Sequence, residues 1–153
     1  MSTTVKKRSY LMSVLTNKCP RCREGYIYES TNAYNLNKVV KMEERCPVCG
    51  QPTEIEVGFY YGTSYVSYAL AVAVCVASFI AWWLIIGFSF EDSRFFWWLG
   101  FNAFLLIGIQ PILMRLSRTL WLSWFVKYDP YWKEHDINKE TIERIVPGQM
   151  NNW

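Results

Sequence analysis

Four of the five cysteines stand in two knuckles, Cys19-Pro20-Arg21-Cys22 and Cys46-Pro47-Val48-Cys49. A Cys-x-x-Cys turn presents two thiolates on one side, and two such turns brought together complete a tetrahedron of sulfur, the ligand set of a structural zinc ion. The expected cofactor is one Zn²⁺ per chain, held by Cys19, Cys22, Cys46 and Cys49. Two disulfides are the rival reading, and thiol–disulfide exchange at a single Cys-x-x-Cys is a third. An all-cysteine shell leaves no open coordination position for water or substrate, so the site is structural rather than hydrolytic. Gly50 supplies permissive backbone after the second knuckle, whereas the first has Arg23 there and glycine only at Gly25.

No second chemical site stands out. His135, the one histidine, sits in a polar stretch beside Glu134 and Asp136 and reads as exposed. The chain has no Gly-rich phosphate loop, no nucleophile elbow and no carboxylate pair in an apolar setting, so no enzymatic activity is expected. Cys75, inside an apolar run, reads as an inert buried residue.

The elements that must hold the knuckles are small. Between Gly25 and Arg45 lie short tyrosine-, isoleucine- and valine-rich runs, Tyr26-Ile27-Tyr28 and Val39-Val40, separated by Thr31-Asn32 and Asn35–Asn37. They suit short strands and turns, giving a β-type zinc ribbon over residues 15–58 after a basic segment at 1–14. A unit of this size buries too little apolar surface to fold alone, so the metal supplies much of its folding free energy.

The rest of the chain is of another kind. Hydrophobic residues make up 52% and aromatics 18% of the sequence, yet mean hydropathy is only +0.02, so an apolar segment is offset by polar ends. No residue from Val57 to Phe90 is charged, and Val66–Phe90 exceeds the roughly 20 residues that cross a bilayer. A second uncharged run, Phe95–Met114, is also long enough, despite Asn102, Gln110 and Pro111. The link Ser89–Arg94 makes them an antiparallel hairpin over residues 62–114. Lys and Arg crowd both ends and the link carries Glu91 and Asp92, so the positive-inside rule places both termini in the cytoplasm. That reducing compartment favours metal over disulfides. The segment after Lys6-Lys7-Arg8 is not a signal peptide.

Ala69, Ala73, Ala77 and Ala81 form a smooth stripe on the first helix, expected to pack against Gly100 and Gly108 of the second or to dock on a larger membrane protein. Tyr60, Tyr61, Tyr65 and Tyr68 mark one membrane interface; Trp97 and Trp98 lie near the other. Beyond Met114, Leu116, Leu120, Trp121, Trp124 and Tyr128 recur at helical spacing opposite Arg115, Arg118, Thr119 and Lys127. This reads as a separate in-plane interfacial helix over residues 115–130. Arg115, Arg118, Trp121 and Trp124 are its expected lipid or partner contacts, the arginines at lipid phosphates, at an acidic partner, or snorkelling. A tail over residues 131–153 carries a short helix, Lys139–Val146, with Asn138 as N-cap. The fold class is therefore a membrane α-helical hairpin with a small N-terminal β-type zinc ribbon and a C-terminal interfacial helix.

CPRC, CPVCG, Gly-Thr-Ser-Tyr leading into a helix hairpin, Pro-Ile-Leu-Met-Arg-Leu-Ser-Arg and Trp before Tyr-Asp-Pro occur here in that order. The stretch from about Cys19 to Pro130 resembles the bacterial membrane family called domain of unknown function 983; Arg23 departs from the Cys-Gly ending expected of the first knuckle. The resemblance implies a small inner-membrane protein of no established activity, with a respiratory connection, since some members are encoded near cytochrome oxidase genes. The leading expectation is a non-catalytic accessory or assembly subunit of a larger inner-membrane complex. A membrane-tethered module recognising peptide or RNA, or reporting metal status, is the alternative. For RNA, Lys38, Lys41 and Arg45 with Tyr26, Tyr28 and Tyr34 would have to form a basic aromatic face. Glu24, Glu29, Glu43 and Glu44 dilute it, and a net charge of +3 does not argue for nucleic acid.

Overall fold

The computed structural model describes residues 9–87 and 93–137. The acidic link, the Lys6-Lys7-Arg8 cluster and the expected helix Lys139–Val146 lie outside them. The order is α1 (Tyr10–Leu15), the cysteine-rich region with a 3₁₀ turn at Leu36–Lys38, a second 3₁₀ turn at Phe59–Gly62, α2 (Thr63–Ile86) and α3 (Arg94–Phe125). The segment at 1–14, expected only to be basic, contributes α1. Its Ser13 and Val14 are buried while Leu11, Met12 and Leu15 face outward.

Both long helices have the length and hydropathy to cross a membrane. At 1.5 Å per residue, α2 is about 36 Å long and α3 about 48 Å, the latter well beyond a hydrocarbon core of about 30 Å. Gly87, at φ 81°, ends α2, and the Arg94 guanidinium donates to the Ile86 carbonyl at 3.1 Å. A cation at a helix C-terminus is favourable there.

The hairpin does not pack as the small residues suggested. Ala69, Ala73, Ala77 and Ala81 are all exposed, Ala69 at an open groove shared with Leu120, Trp121 and Trp124 of α3, and a methyl group added at Gly100 or Gly108 would meet nothing within 4 Å. The helices meet instead through polar and aromatic side chains. Ser78 donates to Asn102 Oδ1 at 2.9 Å, and Asn102 Nδ2 to Cys75 Sγ at 3.3 Å. Toward the link, Phe79 stands edge-on to Trp98 with centroids 5.2 Å apart. An amide in an apolar span must find partners, and that need sets which face of each helix turns inward. Cys75 is thus a hydrogen-bonding member of the interface, not an inert one. Replacing Asn102 with Leu is expected to weaken the hairpin by about 1 kcal/mol, measured as a lower midpoint of denaturant unfolding in detergent micelles.

The interfacial helix expected over residues 115–130 is not a separate element. Helix α3 runs unbroken through Pro111 to Phe125, so residues 115–125 are its last three turns. Arg115, Thr119, Leu122 and Val126 share one face of this extension and are buried, covered by the cysteine-rich region. The side that reads as polar and solvent-facing is the one turned inward. Pro111 deprives the Ile107 carbonyl of its helical donor. One turn away, the Tyr34 hydroxyl donates to the Gly108 carbonyl at 3.0 Å, so the cysteine-rich region supports the helix where proline loosens it.

The cysteine-rich region contains no strand among the described residues. Three isolated antiparallel bridges, Lys18–Tyr26, Tyr28–Met42 and Arg45–Pro52, stand where ribbon strands were expected. Two of them close the arms of the knuckles, and Glu43 N donates to Ile27 O across the third at 3.0 Å. The arms between knuckle and turn are too short to extend a ladder further. Ile27, Tyr28, Met42, Phe59, Tyr60 and Leu122 form one buried cluster with Cys19, Cys22 and Cys46.

Candidate metal centre

The two knuckles are built alike. Cys19 N donates to Gly25 O and Cys46 N to Gln51 O, each at 2.8 Å; Arg23 N donates to Cys19 O at 2.8 Å and Gly50 N to Cys46 O at 2.9 Å. The residue after each second cysteine takes the left-handed conformation, Gly50 at φ 69° and Arg23 at φ 57°. Arginine there costs roughly 1 kcal/mol relative to glycine. Its side chain offsets that cost, because the Arg23 guanidinium stacks 3.9 Å from the Tyr128 ring centroid. The departure from Cys-Gly thus leaves the turn intact.

All four cysteine Sγ atoms lie within 4.8 Å of one another, and Cys19, Cys22 and Cys46 are buried. The four cysteines are free thiols rather than disulfides. Cys19 and Cys49 sulfurs are 3.7 Å apart and those of Cys22 and Cys46 3.8 Å. These two of the six sulfur–sulfur separations match the edge of a tetrahedron whose centre is about 2.3 Å from each corner, a metal–thiolate bond length. The four thiols hydrogen-bond one another, which holds Cys22 below its ordinary value and lowers Cys46 to about 7 while pushing Cys19 and Cys49 up. The case for a metal therefore stands on the clustering of the sulfurs. The four cysteines chosen from sequence are therefore together, and they could bind one metal ion.

Gly25 is held by proximity rather than by its torsion angles. A Cβ there would overlap Cys46 Sγ and press on Val48. Gly25→Ala is expected to weaken metal binding by about 10–100-fold, the usual effect of disturbing a ligand's support, read by competition with a chromophoric chelator.

The remaining site residues are placed differently from expectation. Arg115 is 1% exposed and reaches neither lipid nor solvent. Its Nε donates to Val39 O at 2.8 Å, Nη1 to Tyr26 Oη at 3.0 Å and Ser30 O at 2.8 Å, and Nη2 to Asn32 O at 2.9 Å and Lys38 O at 3.4 Å. All five N–H donors are thus used on the cysteine-rich region, while the guanidinium lies 4.9 Å from the Tyr28 ring centroid. Tyr28 in turn donates to the Arg115 carbonyl at 2.8 Å. Burial pushes the Tyr28 phenol above its ordinary value, so it remains a donor at neutral pH. Arg118 donates to Val40 O at 2.9 Å and lies over the Tyr60 ring. Trp121 donates to Phe59 O at 2.9 Å and packs on the Phe59 and Phe125 rings; Trp124 alone of the four stays largely exposed.

Below the knuckles, buried Arg21 binds the chain that follows α3, donating to the His135 and Asp136 carbonyls with Asp129 3.7 Å away. His135 is exposed and bonds to Asp129 through Nδ1. Sequence reading missed the docking roles of Arg21, Arg23 and Arg115. The cue was the arginine inside and after the first knuckle, side chains that zinc itself does not need. Comparison with protein-family models, curated proteins and solved structures gives no match.

Proposed function

We propose that this chain is a non-catalytic accessory or assembly subunit of a larger inner-membrane complex, with its ribbon stapled by one zinc ion and held at the cytoplasmic face. The observation that carries the reading is the outward alanine stripe. The hairpin's own packing uses Asn102, Ser78 and aromatic rings, so Ala69, Ala73, Ala77 and Ala81 remain a smooth face on which another helix can approach closely. Zinc suits four sulfurs with tetrahedral edges, and a closed shell of this kind is structural. The crowding of Lys and Arg at both ends supports a cytoplasmic ribbon. A cytochrome oxidase complex is the partner that the family resemblance brings forward.

The tethered-module alternative loses its RNA-binding face. Tyr28 is 3% exposed beneath α3, Tyr26 is spent on Arg115, and Lys38 and Lys41 both lean on Glu29. The test is gentle extraction of the tagged chain from its own membranes, followed by mass spectrometry and metal analysis of the same sample. A stoichiometric membrane partner with about one zinc per chain is expected. It should be lost on Ala73→Trp with metal retained. Free monomer in several mild detergents would overturn the reading.

A further inference from the structure

We infer that the ribbon's residues 31–38 form a membrane-inserted loop, seated among the lipids beside α3. Arg115 binds the carbonyls of Ser30, Asn32, Lys38 and Val39, pinning both ends of the loop at the level where the uncharged run of α3 stops. From that base the loop extends along α3 toward the membrane. Tyr34 reaches the carbonyl of Gly108, seven residues and about 10 Å farther into the span than Arg115. Whatever surrounds α3 at Gly108 therefore also surrounds the loop tip.

The loop presents apolar surface for that position, and part of its backbone is bonded internally. Leu36 is 74% exposed and Tyr34 58%, alongside Ile107 at 74%. Between loop and helix runs an open groove of about 300 Å³ lined by Leu36, Val39, Ile107, Pro111 and Met114, apolar except for Gln110, where acyl chains fit. Irregular backbone is tolerated near hydrocarbon only when its polar groups are bonded within the protein. Here Asn32 N donates to Ser30 Oγ, Tyr34 N to Asn32 Oδ1 and Lys38 N to Asn35 O, and Arg115 takes the carbonyls at the base. A tyrosine whose hydroxyl is satisfied, beside an outward leucine, is suited to the headgroup boundary.

The inference rests on the hairpin spanning a membrane, and the test separates the two. p-Benzoylphenylalanine replaces Leu36, Phe104 in the middle of α3, or Val48 on the second knuckle, in the full chain reconstituted into phosphatidylcholine–phosphatidylglycerol vesicles. Bound metal is measured in each variant, and Tyr34 provides a second loop position if replacing Leu36 lowers it. Irradiation is expected to give lipid adducts at 36 and 104 and none at 48. Adducts at 104 without any at 36 or 34 overturn the loop's insertion. Adducts from the loop to another protein chain overturn it as well. Absence of lipid adducts at 104 removes the spanning hairpin and the insertion with it.

Discussion

Arg115→Ala is expected to release the ribbon from α3 while leaving the four-sulfur site able to hold its metal. The substitution removes five hydrogen bonds and leaves four carbonyls and the Tyr26 hydroxyl facing a cavity beneath Tyr28. Buried acceptors left without donors make the loss large, about 3–5 kcal/mol. None of the lost bonds involves a cysteine, so the effect falls on docking. Hydrogen exchange and proteolysis should rise sharply over residues 30–41, with metal content unchanged. Arg115→Lys keeps the charge but has three donors in place of a planar fork of five, so an intermediate effect is expected. Equal protection of residues 30–41 in wild type and Arg115→Ala would show that the guanidinium does not hold the ribbon.

Removal of the metal is expected to unfold the ribbon as a unit and leave the hairpin helical. Apparent binding free energies of structural zinc in small domains are roughly 10–16 kcal/mol, more than a core of this size can replace. The sign with pH follows from the ligands. They bind as thiolates, so bound metal stabilises the fold at neutral pH and that contribution is lost as acid protonates the sulfurs. Chelator treatment should therefore abolish protection over residues 17–55 and change the helical signal of α2 and α3 little. The two perturbations should also be non-additive. Arg115→Ala must matter far less in the metal-free chain, because the carbonyls that Arg115 binds are no longer held together. Full additivity would mean that metal and docking are independent.

The knuckles and the two long apolar helices were legible because each is a local pattern with one physical meaning: thiols with two residues between them, and apolar runs of bilayer length. Orientation was not. Residues 115–125 look amphipathic in the expected way, yet Arg115 and Thr119 lie on the covered face. The amphipathic reading treats lipid as the one apolar partner of a helix and does not foresee a ribbon that offers carbonyls and tyrosine rings. The alanine stripe misled for a related reason. Small residues permit close approach without compelling it, whereas Asn102 in an apolar span must find a partner and so decides which faces meet. Pro111 made the second span less regular in sequence, and Tyr34, bonded to the Gly108 carbonyl, supports α3 as it continues past it. The β-type ribbon expected from the tyrosine- and valine-rich runs is not seen as strands: the described residues of this region hold three isolated bridges.

The most direct test of a metal-stapled ribbon is X-ray absorption spectroscopy at the zinc edge on the purified full chain. The expected result is one zinc per chain with four sulfur neighbours at about 2.3 Å and no nitrogen or oxygen in the shell. A shell containing nitrogen or oxygen, or a chain purified without metal and with its knuckle cysteines joined as disulfides, would contradict it.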